Sequence, residues 1–361
     1  MNDETPALTE LQIHQFGELL GSEGVLSSES LEQIPFLALW ARKLERGYGT
    51  PASFADGAGS KFSTFTVSGS EYTVCSLFGG RHDERRALMR LQKRYKPHKI
   101  NYGFDLHLGQ AGTRSCLLCE NVAQALDGHD NVIFDFGDYM VMPNRYPARY
   151  GHSLLIPKNH DPQHERVERY TRSGQLCIPC ESGKVRGNIL TEMDLYALVS
   201  VCDVLDLVGS RNHVLAGMSI PEHDHFHLMP KAYQHHFFLD RIAEKLRDTE
   251  VLETRVSELG ITPFDTLLVY DRNRSRAISR VCNLLERLER SDRVFTLTYH
   301  AGKFLISPRH ADVVGDTPGD CGGGAEVHTF DPSDLEQVVK YVPLAGEYDW
   351  GQFVAADDVL Y

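Results

Sequence analysis

A run of alternating histidines most constrains what this chain can fold into. His223, His225 and His227 are separated by single residues, Asp224 and Phe226. A period of two is typical of a β-strand, and it would place all three imidazoles on one face of that strand. Because imidazoles are costly to bury without polar partners, this face predicts a metal site, a phosphate site or a nucleophilic site. The alternative is a solvated strand that carries histidines without a function.

The composition limits the classes of protein that remain. The chain has 361 residues, of which 42% are hydrophobic and 24% charged, which is enough for one large domain or two ordinary ones. Its net charge of −13 argues against a nucleic-acid partner. An anionic small substrate is still compatible, because a local cluster of Lys and Arg can outweigh a distant acidic surface. The sequence has no run of about 18 apolar residues, so we expect no membrane span.

The first residues and the cysteines favour a cytoplasmic location. Residues 1–6 have neither a basic start nor an apolar core, so they do not resemble a signal peptide. Four of the eight cysteines form two Cys-x-x-Cys pairs, Cys116/Cys119 and Cys177/Cys180. In a chain of this length such pairs favour a reducing compartment and metal ligation over a disulfide framework.

The spacing of the apolar residues predicts an α+β chain. Helices are expected over residues 7–20, 30–46, 82–95, 116–126, 191–208, 237–246 and 274–288, with one more in the tail 334–361. A hairpin is expected over 60–78, and strands at 132–136, 139–142, 153–156, 266–270, 293–299 and 303–310, besides the histidine strand. The polar stretch 164–186 is interpreted as an inserted loop.

Cys116 and Cys119 are half of a predicted zinc site. Tetrahedral zinc takes four ligands and accepts both thiolates and imidazoles, so this pair needs two histidines. His152, His160 and His223 lie in segments with predicted structure and can supply them. The alternative is a pair of buried free thiols.

The middle histidine, His225, is the candidate nucleophile. A neutral imidazole can displace a leaving group from the α-phosphate of a nucleotide and hold the nucleotidyl group as a phosphoramidate, which divides one transfer into two steps. Backbone N–H groups, Ser219 and nearby cations would stabilise the charge on the phosphate oxygens. Lys158, Lys231 and Arg309 are the cations closest to the motifs in sequence, although each alone is more often a surface residue.

These motifs together resemble the histidine-triad (HIT) superfamily. The resemblance covers residues 212–227 and the upstream stretch 142–160, and the order of Cys-x-x-Cys, Pro-Lys-x-His and His-x-His-x-His is similar to that of zinc-bearing members. Farther on, 295–299 and 304–309 resemble a strand pair of the galactose-1-phosphate uridylyltransferase and dinucleoside-tetraphosphate phosphorylase group. That resemblance implies HIT-like antiparallel sheets with flanking helices, duplicated in two halves of which only one is catalytic.

The resemblance also implies a division of the chain. Residues 1–110 would form an N-terminal α+β region that shapes substrate specificity. Residues 111–260 would form the catalytic half, with the insertion 164–186, and 261–361 the second, non-catalytic half. A weak internal repeat, 154–160 against 304–310, agrees with duplication.

Individual roles follow from matching positions in the family motifs. His225 matches the covalent nucleophile, and His223 matches the first histidine, a zinc ligand in metal-bearing members. Cys116, Cys119 and His160 match the other three zinc ligands.

The remaining positions match contacts to the nucleotide. Asn144 falls where the family places an Asp or Asn against the ribose, and Asn212 and Ser219 fall where an Asn and a Ser contact phosphate or the surroundings of the nucleophile. His227 occupies the third position of the triad.

The chain departs from the family pattern at several points. His227 stands where the transferases and phosphorylases usually carry Gln, and a histidine there is typical of the hydrolase-like branch. Asp224 stands where an apolar residue or proline is usual. One extra residue separates Ser219 from His223, and the pair Cys177/Cys180 has no counterpart in the group.

The function implied is nucleotidyl transfer or phosphorolysis. The substrate would be a nucleoside-diphosphate sugar or a dinucleoside polyphosphate, the acceptor phosphate or a sugar phosphate, and the cofactor zinc. The alternative is a HIT-type hydrolase that releases a nucleoside monophosphate to water. A non-catalytic binding protein that keeps the fold is a third possibility. Homodimers are common in the group, which makes a homodimer one expectation.

Overall fold

A computed structural model gives the architecture of the chain. The structure describes residues 34–49, 61–67, 70–76, 117–145, 147, 151–158, 190–213, 224–230, 239–245, 250–259, 261, 264–291, 293–309, 326–329 and 347–352. The predicted helices at 7–20 and 82–95, the insertion 164–186 and most of the tail lie outside these residues.

The described helices are five, followed by one 3-10 turn. They are α1 Ile34–Tyr48, α2 Leu117–Leu126, α3 Glu192–Leu205, α4 Leu239–Lys245 and α5 Arg274–Arg290, with the 3-10 turn at Trp350–Gln352. None of the described helices is both long and apolar enough to span a bilayer.

The described strands form a large antiparallel sheet and a small one. They are β1 Lys61–Val67, β2 Ser70–Ser76, β3 Phe134–Phe136, β4 Tyr139–Pro143, β5 Ser153–Pro157, β6 Leu207–Asn212, β7 Phe226–Pro230, β8 Val251–Arg255, β9 Leu267–Asp271, β10 Val294–His300, β11 Lys303–Arg309 and β12 Glu326–Thr329. Nine of them make one sheet in the order β3-β4-β5-β7-β6-β10-β11-β9-β8, and β1, β2 and β12 make the other. The α+β class is confirmed.

Helices pack on both faces of the nine-stranded sheet. We call the side that packs against α1, α3 and α5 the first face; it holds the largest core, with Leu155, Phe226 and Leu297 pointing into it. The second face packs against α2 near Leu154 and against α4 near Val208. Alternate residues of each strand therefore enter opposite cores, as the period of two requires.

The two predicted halves contribute to one continuous sheet. Strands β3 to β7, from residues 134–230, lie on one side of the β6–β10 pairing, and β9 to β11, from 267–309, lie on the other, together with β8, whose residues fall in the predicted catalytic half. Whether this arrangement reflects duplication stays a prediction. Strand β12 pairs with β2, which joins residues 326–329 to the N-terminal hairpin.

Helix α3 ends earlier than its apolar pattern predicts. It begins at a capping box in which Thr191 and Asp194 bond to each other's backbone N–H, and it ends at Asp206 in the left-handed conformation (φ 46). The predicted helix to Val208 is therefore wrong at its end, because Leu207 already belongs to β6. A Cβ on Gly209 would lie 2.4 Å from Leu198 Cδ1, which shows how closely α3 lies over β6.

Candidate active site

The histidine run lies at the start of β7 and not along its length. Strand β7 begins at Phe226, so His227 belongs to the ladder, whereas His225 lies one residue before the strand. His227 is paired with Leu154 of β5 on one side and with Ser210 of β6 on the other. The predicted strand is thus confirmed, but it begins after His225. The ring of His227 lies on the second face.

A fourth histidine, His152, completes a cluster on that face. Its Nε2 lies 2.9 Å from Nδ1 of His227, and the Asn144 side-chain amide lies 3.2 Å from the same Nε2. The rings of His227 and His225 are in edge-to-face contact with centroids 5.2 Å apart. His152 is fixed through its carbonyl oxygen, which accepts both the Trp40 indole N–H and the Asn144 backbone N–H at 2.9 Å.

The contacts of this cluster join two ring nitrogens and one side-chain amide. The direction of each bond to a ring nitrogen depends on the tautomer of that ring. Burial lowers the pKa of His227 to about 4, so its ring is neutral near pH 7 and one of its two nitrogens holds a lone pair.

A polar row extends from the cluster across the sheet. Asn212 of β6 is paired with Thr296 of β10, and the Thr296 hydroxyl donates to Asn212 Oδ1 at 2.9 Å. Nη1 of Arg309, on β11, lies 3.5 Å from the Thr296 hydroxyl. Continuing the Ser210–His227 register by two residues places His225 beside Asn212. The structure therefore brings Asn212 and Arg309 to the same face and end of the sheet as the histidines.

Lys158 is placed elsewhere. It follows the far end of β5 from His152, and its ammonium is paired with Asp135 of β3. Lys158 is six residue steps along extended chain from His152, a distance of roughly 20 Å. The structure does not bring this predicted nucleotide-binding lysine to the cluster.

Several predicted site residues lie outside the described part of the chain. Ser219, Lys231, Cys116, His160 and His223 are among them. Of Cys119, only the backbone is described, in α2.

The zinc site therefore stays a prediction. Among the described residues, no group of three or more histidines, cysteines, aspartates or glutamates could hold a metal ion. The side chains of the four ligands that the resemblance implies, Cys116, Cys119, His160 and His223, fall outside that set.

Charged side chains lie beneath the cluster, on the first face. The Arg211 guanidinium is fully buried and its Nε–H donates to Asp224 Oδ1 at 2.7 Å. Nearby, His213 Nε2 lies 2.9 Å from Glu289 Oε2 of α5. Asp224, which departs from the family pattern, thus has an ionic partner across the β6–β7 pair.

The buried charges shift one another's protonation. Burial raises the pKa of the Asp224 carboxyl above its ordinary value, and the Arg211 guanidinium offsets only part of that shift. Burial alone would also raise the pKa of Glu289, but His213 and Arg211 outweigh it and hold that pKa below its ordinary value. The three carboxylates of Asp224, Glu289 and Asp194 favour the charged form of Arg211.

A cavity of about 640 Å³ lies at the opposite end of the sheet from His225. Its lining includes Asp203 in the last turn of α3 and Asp206 just after it, Tyr299 and His300 at the end of β10, and Arg274 at the start of α5. None of the clustered histidines lines it, so the cavity and the candidate chemistry are separate features of the molecule.

Sequence reasoning missed the two partners that organise the site. The sequence indicates His152 only as a possible zinc ligand, although its position directly before a buried strand predicts a fixed side chain. No sequence pattern indicated a role for Arg211, because the strand β6 was not predicted. The signal available was Asp224, an unexplained carboxylate next to His225.

Three solved structures of one yeast enzyme are similar to this chain. They are the yeast Ap4A phosphorylase Apa2 in complex with AMP (13% identity, 83% of this chain and 92% of that chain, TM-score 0.44), without a named ligand (12%, 86% and 96%, 0.45) and in complex with Ap4A (12%, 84% and 92%, 0.48). No protein-family model matches the chain, and no curated protein is significantly similar to it. The neighbours belong to the group that the sequence motifs resemble, and at these identities they transfer no activity.

Proposed function

We propose that the chain is a nucleotidyltransferase of the phosphorylase type that acts through His225. The observation that carries the proposal is the contact of His225 with His227 and of His227 with His152, on one sheet face beside Asn212. Three imidazoles joined through His227 at the end of buried strands are costly unless the arrangement has a use. A phosphorus centre is the electrophile that suits a neutral imidazole nucleophile.

The reaction divides into two displacements. A ring nitrogen of His225 forms a bond to the α-phosphorus while the bond from that phosphorus to the bridging oxygen breaks, which releases a nucleotide or a sugar phosphate. An oxygen of inorganic phosphate or of a sugar phosphate then attacks the same phosphorus, and the P–N bond breaks. His225 is restored, and the product is a nucleoside diphosphate or a new nucleotide sugar.

The neighbours of His225 have distinct roles in this proposal. His227, neutral near pH 7, holds its orientation through the 2.9 Å contact between its Nδ1 and Nε2 of His152. Arg309, the cation at the end of the polar row, supplies positive charge for the phosphate oxygens. Ser219 and Lys231 keep their predicted phosphate contacts, and Asn144 supports the cluster through His152.

Burial of His225 sets a condition on substrate access. Its side chain is 1% exposed, so a nucleotide reaches the ring only when the residues that cover it move. A ring that never becomes accessible would be a structural histidine, and mapping of a covalent adduct on His225 separates these two cases.

Product analysis tests the proposed reaction. The purified chain is incubated with Ap4A, which the yeast phosphorylase binds, and with a panel of nucleoside-diphosphate sugars, each with and without phosphate. Phosphate-dependent release of a nucleoside diphosphate supports phosphorolysis. Release of a monophosphate regardless of phosphate would show that water is the acceptor, as a histidine at position 227 implies by resemblance. His225→Asn is the control and should show neither reaction.

Zinc is proposed as a structural cofactor held by Cys116, Cys119, His160 and His223. Zinc in such a site would tether the start of the histidine run to the helix α2 region, and it contributes folding energy. Elemental analysis of the wild type and of Cys116→Ser tests this. We expect about one zinc per chain that the variant loses, whereas equal metal content in both would remove Cys116 from the ligand set.

A further inference from the structure

One carboxylate oxygen links two strands directly behind the proposed nucleophile. Asp224 Oδ1 accepts the Arg211 Nε–H at 2.7 Å and also the backbone N–H of His225 at 3.0 Å. Arg211 belongs to β6, whereas His225 immediately precedes β7. The oxygen therefore fixes the backbone at His225 to the neighbouring strand at a point where the ladder has not yet begun.

The Arg211–Asp224 pair and the imidazole lie on opposite faces of the sheet. Arg211 has the same parity on β6 as Gly209, whose α-carbon faces Leu198 of α3. The ring of His225 instead contacts His227, which shares the second face with Ser210. A nucleotide bound at the imidazoles would not touch the pair, so the pair can act on chemistry only through the backbone.

Burying the Arg211–Asp224 pair costs hydration energy, which points to a role beyond stability. A buried guanidinium and its carboxylate lose more hydration energy than most pairs recover, and an apolar pair of similar volume is often as stable. Arg211 is 0% exposed, and its positive charge is further stabilised by Glu289 and Asp194. The histidine-triad pattern has an apolar residue or proline at position 224, so this ionic arrangement is a departure of this chain.

We propose that the Arg211–Asp224 pair positions His225 for attack on phosphorus. This inference rests on the proposed role of His225 as the nucleophile. Reactive groups must be held within about 0.5 Å of productive geometry by residues that are themselves fixed, and a displacement of about 1 Å can cost roughly 100-fold in rate. The charge-assisted bond to the His225 N–H supplies that restraint from the face that substrate does not occupy.

A pre-steady-state experiment separates positioning from simple stabilisation. Wild type, Asp224→Asn and Asp271→Asn are mixed with Ap4A, or with the panel substrate that gives the highest turnover, in the absence of an acceptor. The amplitude of adduct formation counts folded, competent sites, and its rate constant reports the geometry of His225. Asp271 is the matched control, because it is a fully buried carboxylate paired with Arg276 at the other end of the sheet.

We expect Asp224→Asn to lower the rate constant at least roughly 10-fold while the amplitude per folded chain is retained. Asp271→Asn should keep the wild-type rate constant, even if it lowers stability. Arg211→Lys is the second variant, and it should also slow adduct formation, because lysine keeps the charge but cannot present the Nε–H in the same place.

Two results would overturn the inference. A wild-type rate constant in folded Asp224→Asn, or in folded Arg211→Lys, would reduce the pair to a stabilising contact while leaving His225 as the nucleophile. The absence of any adduct in wild type during turnover would instead remove the proposed function, and the positioning role with it.

Discussion

The two faces of the sheet at His225 differ in the kind of polar group they hold. On the second face, the described contacts of His152, His227 and Asn144 join imidazoles and an amide, and the His227 ring is neutral near pH 7. On the first face, the fully buried Arg211 guanidinium forms an ion pair with the partly buried Asp224 carboxylate. The difference teaches that an ion pair can restrain the backbone from behind, where its carboxylate would not face the phosphate of the proposed substrate, while the imidazoles lie on the other face of the sheet.

The largest effect expected on stability comes from breaking the ionic pair. Asp224→Ala leaves the Arg211 guanidinium buried without its nearest carboxylate, which should lower the free energy of unfolding by about 3–5 kcal/mol. Urea unfolding measures it. The double variant Arg211→Met/Asp224→Ala should recover much of this loss. A loss below about 1 kcal/mol in the single variant would contradict the ion pair between Arg211 and Asp224.

The next effect concerns the pH dependence of the second face. His227 has a pKa of about 4 in the folded chain, below its ordinary 6.5, because burial disfavours its charged form. Between about pH 6.5 and 4 the unfolded chain therefore binds a proton that the folded chain does not. The free energy of unfolding decreases as the pH is lowered through that window.

The size of this loss is roughly 3 kcal/mol, and it is complete near pH 4. Urea unfolding at about pH 7 and about pH 4 measures it, with His227→Asn as the control. The variant should lose less stability on acidification, and an equal loss in both proteins would show that His227 titrates normally.

A smaller effect distinguishes two roles for Asn144. The predicted role is a contact to ribose, whereas the structure shows its amide bonded to His152. Asn144→Ala should cost about 1 kcal/mol of stability through the lost hydrogen bond. If Asn144 also binds ribose, KM rises in addition, and an unchanged KM with lower stability would limit Asn144 to supporting His152.

The smallest effect is expected at Lys158, far from both faces at His225. Its pairing with Asp135 is partly exposed, so Lys158→Met should cost at most about 1 kcal/mol and leave KM within about 2-fold. Arg309→Met is the comparison and should raise KM, because Arg309 lies on the polar row with Asn212. A KM change at Lys158 as large as that at Arg309 would contradict this placement.

The parts of the site that local patterns specify could be predicted from the sequence. The alternation of His225 and His227 predicts their shared face, and the buried strand after His152 follows from its apolar run. The strand β6 was not predicted, because Leu207 and Val208 continue the apolar spacing of α3 and only the left-handed turn at Asp206 separates the two elements. Strand β8 was missed because a five-residue polar–apolar segment carries little periodicity.

Contacts between distant residues account for what the sequence could not predict. Asp224 looked like an anomaly beside His225, since its partner Arg211 becomes its neighbour only through the antiparallel pairing of β6 with β7. In the same way, Asn144 and His227 meet at His152 because β5 lies between β4 and β7. Such pairings depend on strand order, which no local spacing specifies.

The most direct test of the central claim is to locate the covalent adduct. Wild type is mixed with a substrate that turns over, acceptor is withheld, and the quenched protein is mapped by peptide mass spectrometry. We predict a phosphoramidate on His225, labile to acid and stable to base, that is lost on addition of acceptor and absent from His225→Asn. An adduct on another residue, or turnover in His225→Asn at the wild-type rate, would contradict the assignment of His225 as the nucleophile.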